Sequence, residues 1–110
     1  MLDFGFYQID GSDTMTVKDL PLDTKLIQLA EEASELSQAA LKLIRARGGD
    51  TPISELQAVR NLLEEIADVN VCIVALDADN YAIEAIMRKK ARRWERRLNA
   101  TKRRKDRPDD

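Results

Sequence analysis

Apolar side chains recur at intervals of three and four residues along most of this chain, and the spacing divides it into three stretches. Each stretch predicts one α-helix with an apolar face. The first covers residues 22–47, and its apolar positions are Leu22, Leu26, Leu29, Ala30, Ala33, Leu36, Ala40 and Leu43. The second ends near residue 76 and carries Ile53, Leu56, Val59, Leu62, Leu63, Ile66, Val69 and Ile73. The third ends near residue 100 and carries Tyr81, Ile83, Ile86, Met87, Ala91, Trp94 and Leu98.

Turn-forming residues separate the three stretches. Residues 48–52 (GGDTP) combine two glycines with a proline and end the first helix. Ser54 or Thr51 can cap the second helix, and residues 77–80 (DADN) offer caps for the third. Because only about five residues connect the first two helices, we expect them to pack as antiparallel neighbours. The predicted fold class is therefore all-α, an antiparallel helical hairpin followed by a third helix.

The chain length of 110 residues fits one domain, which we place at residues 21–100. Residues 1–20 show no helical periodicity, and we predict an irregular or extended segment there. Residues 101–110 (TKRRKDRPDD) are charged and lack apolar side chains, which predicts a disordered tail. A domain of this size buries only about two-thirds of its unfolded surface. The apolar stripe left on its helices therefore favours self-association.

Two residue types that are missing or rare narrow the possible chemistry. The chain has no histidine, which excludes imidazole bases, Ser-His and Cys-His nucleophile systems and histidine metal sites. Cys72 is the single cysteine, so an intrachain disulfide and a cysteine-rich zinc site are also excluded. It lies in an apolar run, where we expect a small buried side chain. Any bound metal must therefore be held by oxygen, which suits Mg²⁺, Mn²⁺ or Ca²⁺.

The distribution of the apolar and charged residues bears on location and partners. No apolar run approaches the roughly 20 residues needed to cross a bilayer, and the first residues have no basic segment typical of a secretory signal. We therefore expect a cytoplasmic protein with no membrane partner. Residues 87–110 carry a balance of +8, whereas the other 86 residues carry −10. An acidic body with a basic end is suited to handling an anion beside a cation.

Two acidic clusters carry the strongest chemical signal. Glu32 and Glu35 in the first helix, like Glu65 and Asp68 in the second, are three residues apart and share a helix face. An antiparallel hairpin that turns near residue 49 brings the two clusters to about the same height. Four carboxylates converging there would repel one another unless divalent cations lay between them. The alternative is that both clusters are solvated helix faces without a metal. Glu31 and Glu64 lie further round each helix, in supporting or solvent-facing positions.

A basic stretch lies on the third helix. The spacing of Lys89, Arg92, Arg93 and Arg96 puts them on one broad face, and the planar guanidinium of arginine suits phosphate oxygens. Trp94 could stack on a base or anchor an interface. Two alternatives stay open, a solvated helix end that balances the helix dipole and a nucleic-acid footprint. The acidic remainder of the chain disfavours nucleic acid as a partner.

Together these motifs resemble those of the MazG-like nucleotide pyrophosphohydrolases, in the all-α NTP pyrophosphatase superfamily. The similar segments are EExxE at residues 31–35, ExxD at residues 65–68 and a basic KxxRR-like stretch at residues 89–93. The longer strings LAEEASEL and NLLEEIADV also look like this family. The resemblance covers roughly residues 25–97.

The resemblance implies a function, a cofactor and an assembly. It implies an enzyme, a nucleoside-triphosphate diphosphatase that cleaves NTP or dNTP to the monophosphate and pyrophosphate. Mg²⁺, with Mn²⁺ as an alternative, would be held by the catalytic residues Glu32, Glu35, Glu65 and Asp68. The polyphosphate would be bound by Lys89, Arg92 and Arg93. The assembly implied is a homodimer or homotetramer of the four-helix-bundle type.

Two rival functions from other classes remain. One is a metal-free helical interaction or adaptor module, whose acidic clusters are solvated faces. The other is a nucleic-acid binder that uses residues 88–107. Stabilisation by Mg²⁺ and nucleotide separates the first rival from the enzyme, and a steep salt dependence of nucleic-acid affinity marks the second.

Overall fold

The computed structural model describes residues 7–8 and 14–108, and within them the fold is all-α apart from one two-residue strand pairing. The helices are α1 (Leu22–Arg47), α2 (Glu55–Leu76) and α3 (Asn80–Lys105). Before α1, strand β1 (Tyr7–Gln8) pairs antiparallel with β2 (Thr14–Met15), and a 3₁₀ turn follows at Val17–Asp19. The three predicted helices are therefore confirmed. The rest of residues 1–20 and residues 109–110 lie outside the described part.

Helices α1 and α2 pack against each other along their length and form a hairpin. Their connection is tight because Gly49 adopts a positive φ of 75°, and the amide of Asp50 donates to the carbonyl of Arg45 at 3.0 Å. Ser54 caps α2, since its Oγ accepts a hydrogen bond from the amide of Gln57 at 3.1 Å. Of the two caps that the sequence allows for this helix, the structure uses Ser54 rather than Thr51.

The most deeply buried apolar side chains of the hairpin are small. The buried apolar residues of the described chain are Ala39, Ala58, Cys72 and Ala75. Larger side chains on the same faces are half-buried, among them Leu29, Leu36, Leu43, Leu62 and Val69. Small residues at a helix contact let the two backbones approach closely. The position of this interface sets which side chains of each helix meet.

The hairpin has an apolar side that is open to solvent. Leu22, Leu26 and Ile44 of α1 are 61%, 46% and 65% exposed, and Leu63 and Ile66 of α2 are 59% and 40% exposed. At about 3.6 residues per turn these residues lie to one flank of Glu32 and of Glu65, and the antiparallel packing brings the two flanks together. Only part of the apolar face predicted for α1 is therefore buried against α2.

Helix α3 belongs to a separate compact unit, Ala78–Asp110. Asp79 caps it, because its Oδ1 accepts from the amides of Tyr81 at 3.0 Å and Ala82 at 3.1 Å. The side chains of residues 84–108 are all exposed. None of the helices in the described part of the chain is long and apolar enough to cross a membrane.

Helix α3 continues to Lys105, through the first half of the segment for which the sequence predicts a disordered tail. Lysine and arginine are good helix formers, and basic side chains near a helix C-terminus interact favourably with its dipole. The hydroxyl of Thr101 also donates to the carbonyl of Arg97 at 3.0 Å, inside the helix. Apolar periodicity ends near residue 100, but helical propensity carries the backbone one turn further.

Candidate metal centre

Three carboxylates meet at the middle of the hairpin. Glu32 lies on the side of α1 that faces α2, and Glu65 and Asp68 lie one helical turn apart on α2. One carboxylate oxygen from each of the three lies within 4.8 Å of the other two. We call these residues the carboxylate cluster. The expected convergence of the two acidic motifs is thus present for three of the four residues.

Burial makes the carboxylate cluster unusual. Glu32 is only 2% exposed, and Glu65 and Asp68 are half-buried. Within the described part of the chain, Oε2 of Glu32 and Oε2 of Glu65 are buried without a hydrogen-bond partner. Buried polar atoms are normally paired, and an ionised carboxylate is costly to bury without a compensating charge. These atoms therefore require a proton or a cation.

The pKa values of two of the cluster carboxyls also indicate that the site needs a proton or a cation. Burial, followed by repulsion from the charges of Glu35 and Asp68, raises the pKa of Glu32 from 4.5 to about 7. The pKa of Glu65 is also raised, first by burial and then by the charges of Glu35 and Asp68. A bound cation would reverse these effects, because it favours the ionised form of every carboxylate around it.

Glu35 adjoins the cluster, and its carboxyl lies within hydrogen-bonding reach of Glu32 and of Glu65. Its side chain is exposed, and it is not one of the three residues whose oxygens lie within 4.8 Å of one another. Its charge nevertheless acts on both Glu32 and Glu65. The structure therefore places Glu35 at the rim of the site, and its role as a ligand stays a prediction. Glu31 and Glu64 are exposed, as their positions on the helices suggest.

The donor set of the cluster fits a hard divalent cation. Mg²⁺ takes oxygen ligands at about 2.0–2.1 Å, so ligands on opposite sides of its octahedron lie roughly 4.2 Å apart. The three oxygens of the cluster lie within 4.8 Å of one another, a limit slightly above that separation. Histidine and cysteine are not among the three residues, so the set favours Mg²⁺ or Mn²⁺ over softer metals.

A hollow adjoins the cluster, and sequence reasoning missed most of its residues. It is lined by Glu35, Gln38, Ala39, Lys42, Asn61, Glu64 and Glu65. Ala39 and Glu65 lie between the two helices, and the other five lie on the flank opposite the apolar side of the hairpin, which we call the polar side. The spacing from Glu35 to Gln38 to Lys42 is three and then four residues, which could have marked one polar face.

Cys72 is 2% exposed, as its apolar surroundings predict. Burial raises the pKa of its thiol, with smaller contributions from the charges of Glu32 and Asp68. A buried, protonated thiol is unreactive. Cys72 therefore fills the hairpin interface as a small side chain.

The basic residues of α3 form their own surface within the second unit. Lys89, Arg92, Arg93 and Arg96 line one groove, as the spacing predicts. Trp94 is 68% exposed and lies beside Lys90, Arg93 and Arg97 in a second groove. Among the described ion pairs, α3 contributes the one between Arg88 and Glu84. The lysine and arginines of the first groove are thus available to an anion.

No model of a known protein family, no curated protein and no solved structure matches this chain. The family resemblance of residues 25–97 therefore stays a prediction. The function has to be argued from the residues of the site.

Proposed function

We propose that this chain is a Mg²⁺-dependent nucleoside triphosphate pyrophosphohydrolase. The observation that carries the proposal is the carboxylate cluster of Glu32, Glu65 and Asp68, with oxygens within 4.8 Å and two buried oxygens unpaired. Mg²⁺ and Mn²⁺ are the cations that such a set of oxygens suits. The similarity of residues 31–35 and 65–68 to the pyrophosphohydrolase motifs supports a nucleotide as substrate.

The residues of the site divide into ligands and a base. Glu32, Glu65 and Asp68 would hold the ion, which when bound polarises phosphate oxygens. Glu35, exposed at the rim, would accept the proton of the attacking water. Water oxygen forms a bond to the α-phosphorus as the bond from that phosphorus to the bridging oxygen breaks. Pyrophosphate then leaves with the electron pair of the broken bond.

The basic groove of α3 is the anion-binding element of the proposal. Lys89, Arg92 and Arg93 line one groove and would bind the phosphate oxygens of the substrate. Arginine forms paired, charge-assisted hydrogen bonds with phosphate, and lysine adds a compact charge. Neutralising the departing pyrophosphate is a large part of catalysis in phosphoryl transfer.

We also propose that the protein is a homodimer or homotetramer of the four-helix-bundle type. The apolar side of the hairpin supports this, since exposed Leu63 and Ile66 continue the exposed leucines of α1. Light scattering coupled to gel filtration should give a mass of two or four chains. Replacing Leu63 with glutamate should shift that mass to one chain. A wild-type protein that elutes as a monomer would contradict the assembly.

The activity is tested by pyrophosphate release from a panel of ordinary and modified nucleoside triphosphates, with Mg²⁺ and with EDTA. Release that requires Mg²⁺ and yields the monophosphate would support the proposal. Asp68→Ala should abolish release while its circular dichroism stays helical. Glu31→Ala is the matched control, because Glu31 is exposed and outside the cluster. Normal turnover by Asp68→Ala would exclude the cluster as the active site.

The second candidate is a metal-free interaction module. The open apolar side of the hairpin and the 68% exposure of Trp94 favour it, because both surfaces suit a protein partner. Mg²⁺ and nucleotide would then leave the melting temperature unchanged, since a ligand that does not bind the folded state cannot stabilise it.

A further inference from the structure

The hollow on the polar side of the hairpin has two ends of different chemistry. It is a cavity of about 380 Å³, within the range of small-molecule sites. Three carboxylates line it, those of Glu35, Glu64 and Glu65, and Glu65 also belongs to the carboxylate cluster. Gln38, Lys42 and Asn61 line the rest of it. A ligand lying in the hollow would extend from the carboxylates past the amides of Gln38 and Asn61 to the ammonium group of Lys42.

The position of Lys42 separates it from the proposed reaction centre. Lys42 follows Glu35 by two helical turns, which is about 10 Å along α1. Asn61 precedes Glu65 by one turn on α2, about 6 Å along that helix, so it lies between the carboxylates and Lys42. With the α-phosphate at the cluster, the sugar and base of a nucleotide would extend over this distance.

Lys42 and Asn61 each offer the hollow a hydrogen-bond donor, and the amide of Gln38 can both donate and accept. Lys42 is exposed, and none of the ion pairs in the described part of the chain involves it. Oδ1 of Asn61 already accepts a hydrogen bond from Nε2 of Gln57 at 2.9 Å. The amide group of Asn61 that remains for a ligand is therefore Nδ2, a donor.

We propose that this hollow is the nucleoside subsite, and that Lys42 and Asn61 select bases that carry a carbonyl oxygen at C4 of a pyrimidine or C6 of a purine. This inference rests on the proposed function. Uracil and thymine carry this oxygen at C4, and guanine carries it at C6. Cytosine and adenine carry an amino group at the same positions, which would face the donors and leave them unpaired. Selection arises because leaving a donor unpaired in the complex costs more binding free energy than a formed hydrogen bond contributes.

The test compares kcat/KM for dUTP, dTTP and dGTP with kcat/KM for dATP and dCTP. Wild-type protein should favour the first group by at least about tenfold, the effect of one hydrogen bond to a charged group. Lys42→Met should remove most of this preference, mainly through KM, with the half-saturating Mg²⁺ concentration unchanged. Asn61→Leu should act in the same direction. Circular dichroism confirms that each variant folds.

The matched control is Arg45→Met, which removes one cation from the same helix. Arg45 is exposed and does not line the hollow. The Arg45→Met variant should rank the five substrates in the same order as the wild-type protein. An identical ranking in wild type, Lys42→Met and Asn61→Leu would overturn the subsite, as would a wild-type preference for dATP or dCTP.

Direct binding separates failure of the subsite from failure of the proposed function. Calorimetric titration with dUMP, dTMP, dGMP, dAMP and dCMP in EDTA needs no turnover. Tighter binding of the first three, lost in Lys42→Met and kept in Arg45→Met, would support the subsite even if no triphosphate is hydrolysed. Equal binding of all five, or none, would overturn it even in an active enzyme.

Discussion

Glu32 of α1 and Glu65 of α2 face each other across the hairpin, and each buries an Oε2 atom that has no hydrogen-bond partner in the described part of the chain. Two unpaired carboxylate oxygens at one place oppose packing of the helices that carry them. A proton relieves the repulsion for one carboxylate, and a divalent cation relieves it for the whole cluster. The stability of the hairpin should therefore depend on pH and on metal.

In the absence of metal, the free energy of unfolding should fall as the pH rises from 5 to 8. The pKa of Glu32 is about 7 in the folded protein, above its ordinary value of 4.5. Between these values the folded protein keeps a proton that the unfolded chain has released, so stability is lost as the pH rises through about 7. Each pKa unit corresponds to about 1.4 kcal/mol, so the loss is of order 3 kcal/mol.

Urea denaturation in EDTA at several pH values measures this dependence. Glu32→Gln should flatten it, because an amide at this position stays neutral throughout. Some dependence should persist in the variant, since the pKa of Glu65 is raised as well. A wild-type protein whose stability rises over this pH range would contradict the burial of an uncompensated carboxylate at position 32.

Mg²⁺ or Mn²⁺ should raise the melting temperature, and more at pH 8 than at pH 6. The ion competes with the proton for Glu32, so its affinity increases as that proton leaves. A cation present at 100 times its dissociation constant stabilises the folded state by about 2.7 kcal/mol. Asp68→Asn should lose the shift, whereas Glu31→Gln should keep it. Equal shifts in both variants would show that the ion binds elsewhere.

Neutralising the basic groove of α3 should weaken binding of the triphosphate. The double variant Arg92→Met, Arg93→Met removes two cations from one groove and should raise KM about tenfold or more, because each bond is charge-assisted. Steady-state pyrophosphate release measures the change. Arg103→Met with Arg104→Met is the control, since it removes the same charge from a different groove. Equal losses in the two double variants would indicate only a general effect of charge.

The hairpin should be sensitive to bulk at Ala58. Ala58 is 2% exposed in the α1–α2 interface, where added methylenes have no space without a shift of the helices. Ala58→Leu should therefore lower the free energy of unfolding by about 1–3 kcal/mol. Ala67→Leu provides the matched control on the same helix, because Ala67 is exposed. Chemical denaturation of both variants compares them, and an unchanged Ala58→Leu would argue against close packing at this position.

Much of the hairpin follows from sequence spacing. Local periodicity located α1 and α2 and their connecting turn, because helical repeat and turn chemistry depend on neighbouring residues. The same spacing placed Glu65 and Asp68 on one face of α2. The apolar spacing predicted an end of α3 near residue 100, before the end at Lys105 in the structure, because helix propensity continues beyond the last apolar residue.

The sequence by itself determined three helices and two acidic pairs at matching heights of a hairpin, since both depend on spacing along the chain. Only the tertiary structure decided which face of each helix packs against the other helix. The apolar positions of α1 span more than one face, and packing through Ala39 against α2 selects one of them. That choice buries Glu32, leaves Glu35 at the rim and brings Lys42 and Asn61 to one hollow. The rotation of one helix against another depends on the shapes of both surfaces, which one-dimensional periodicity does not contain.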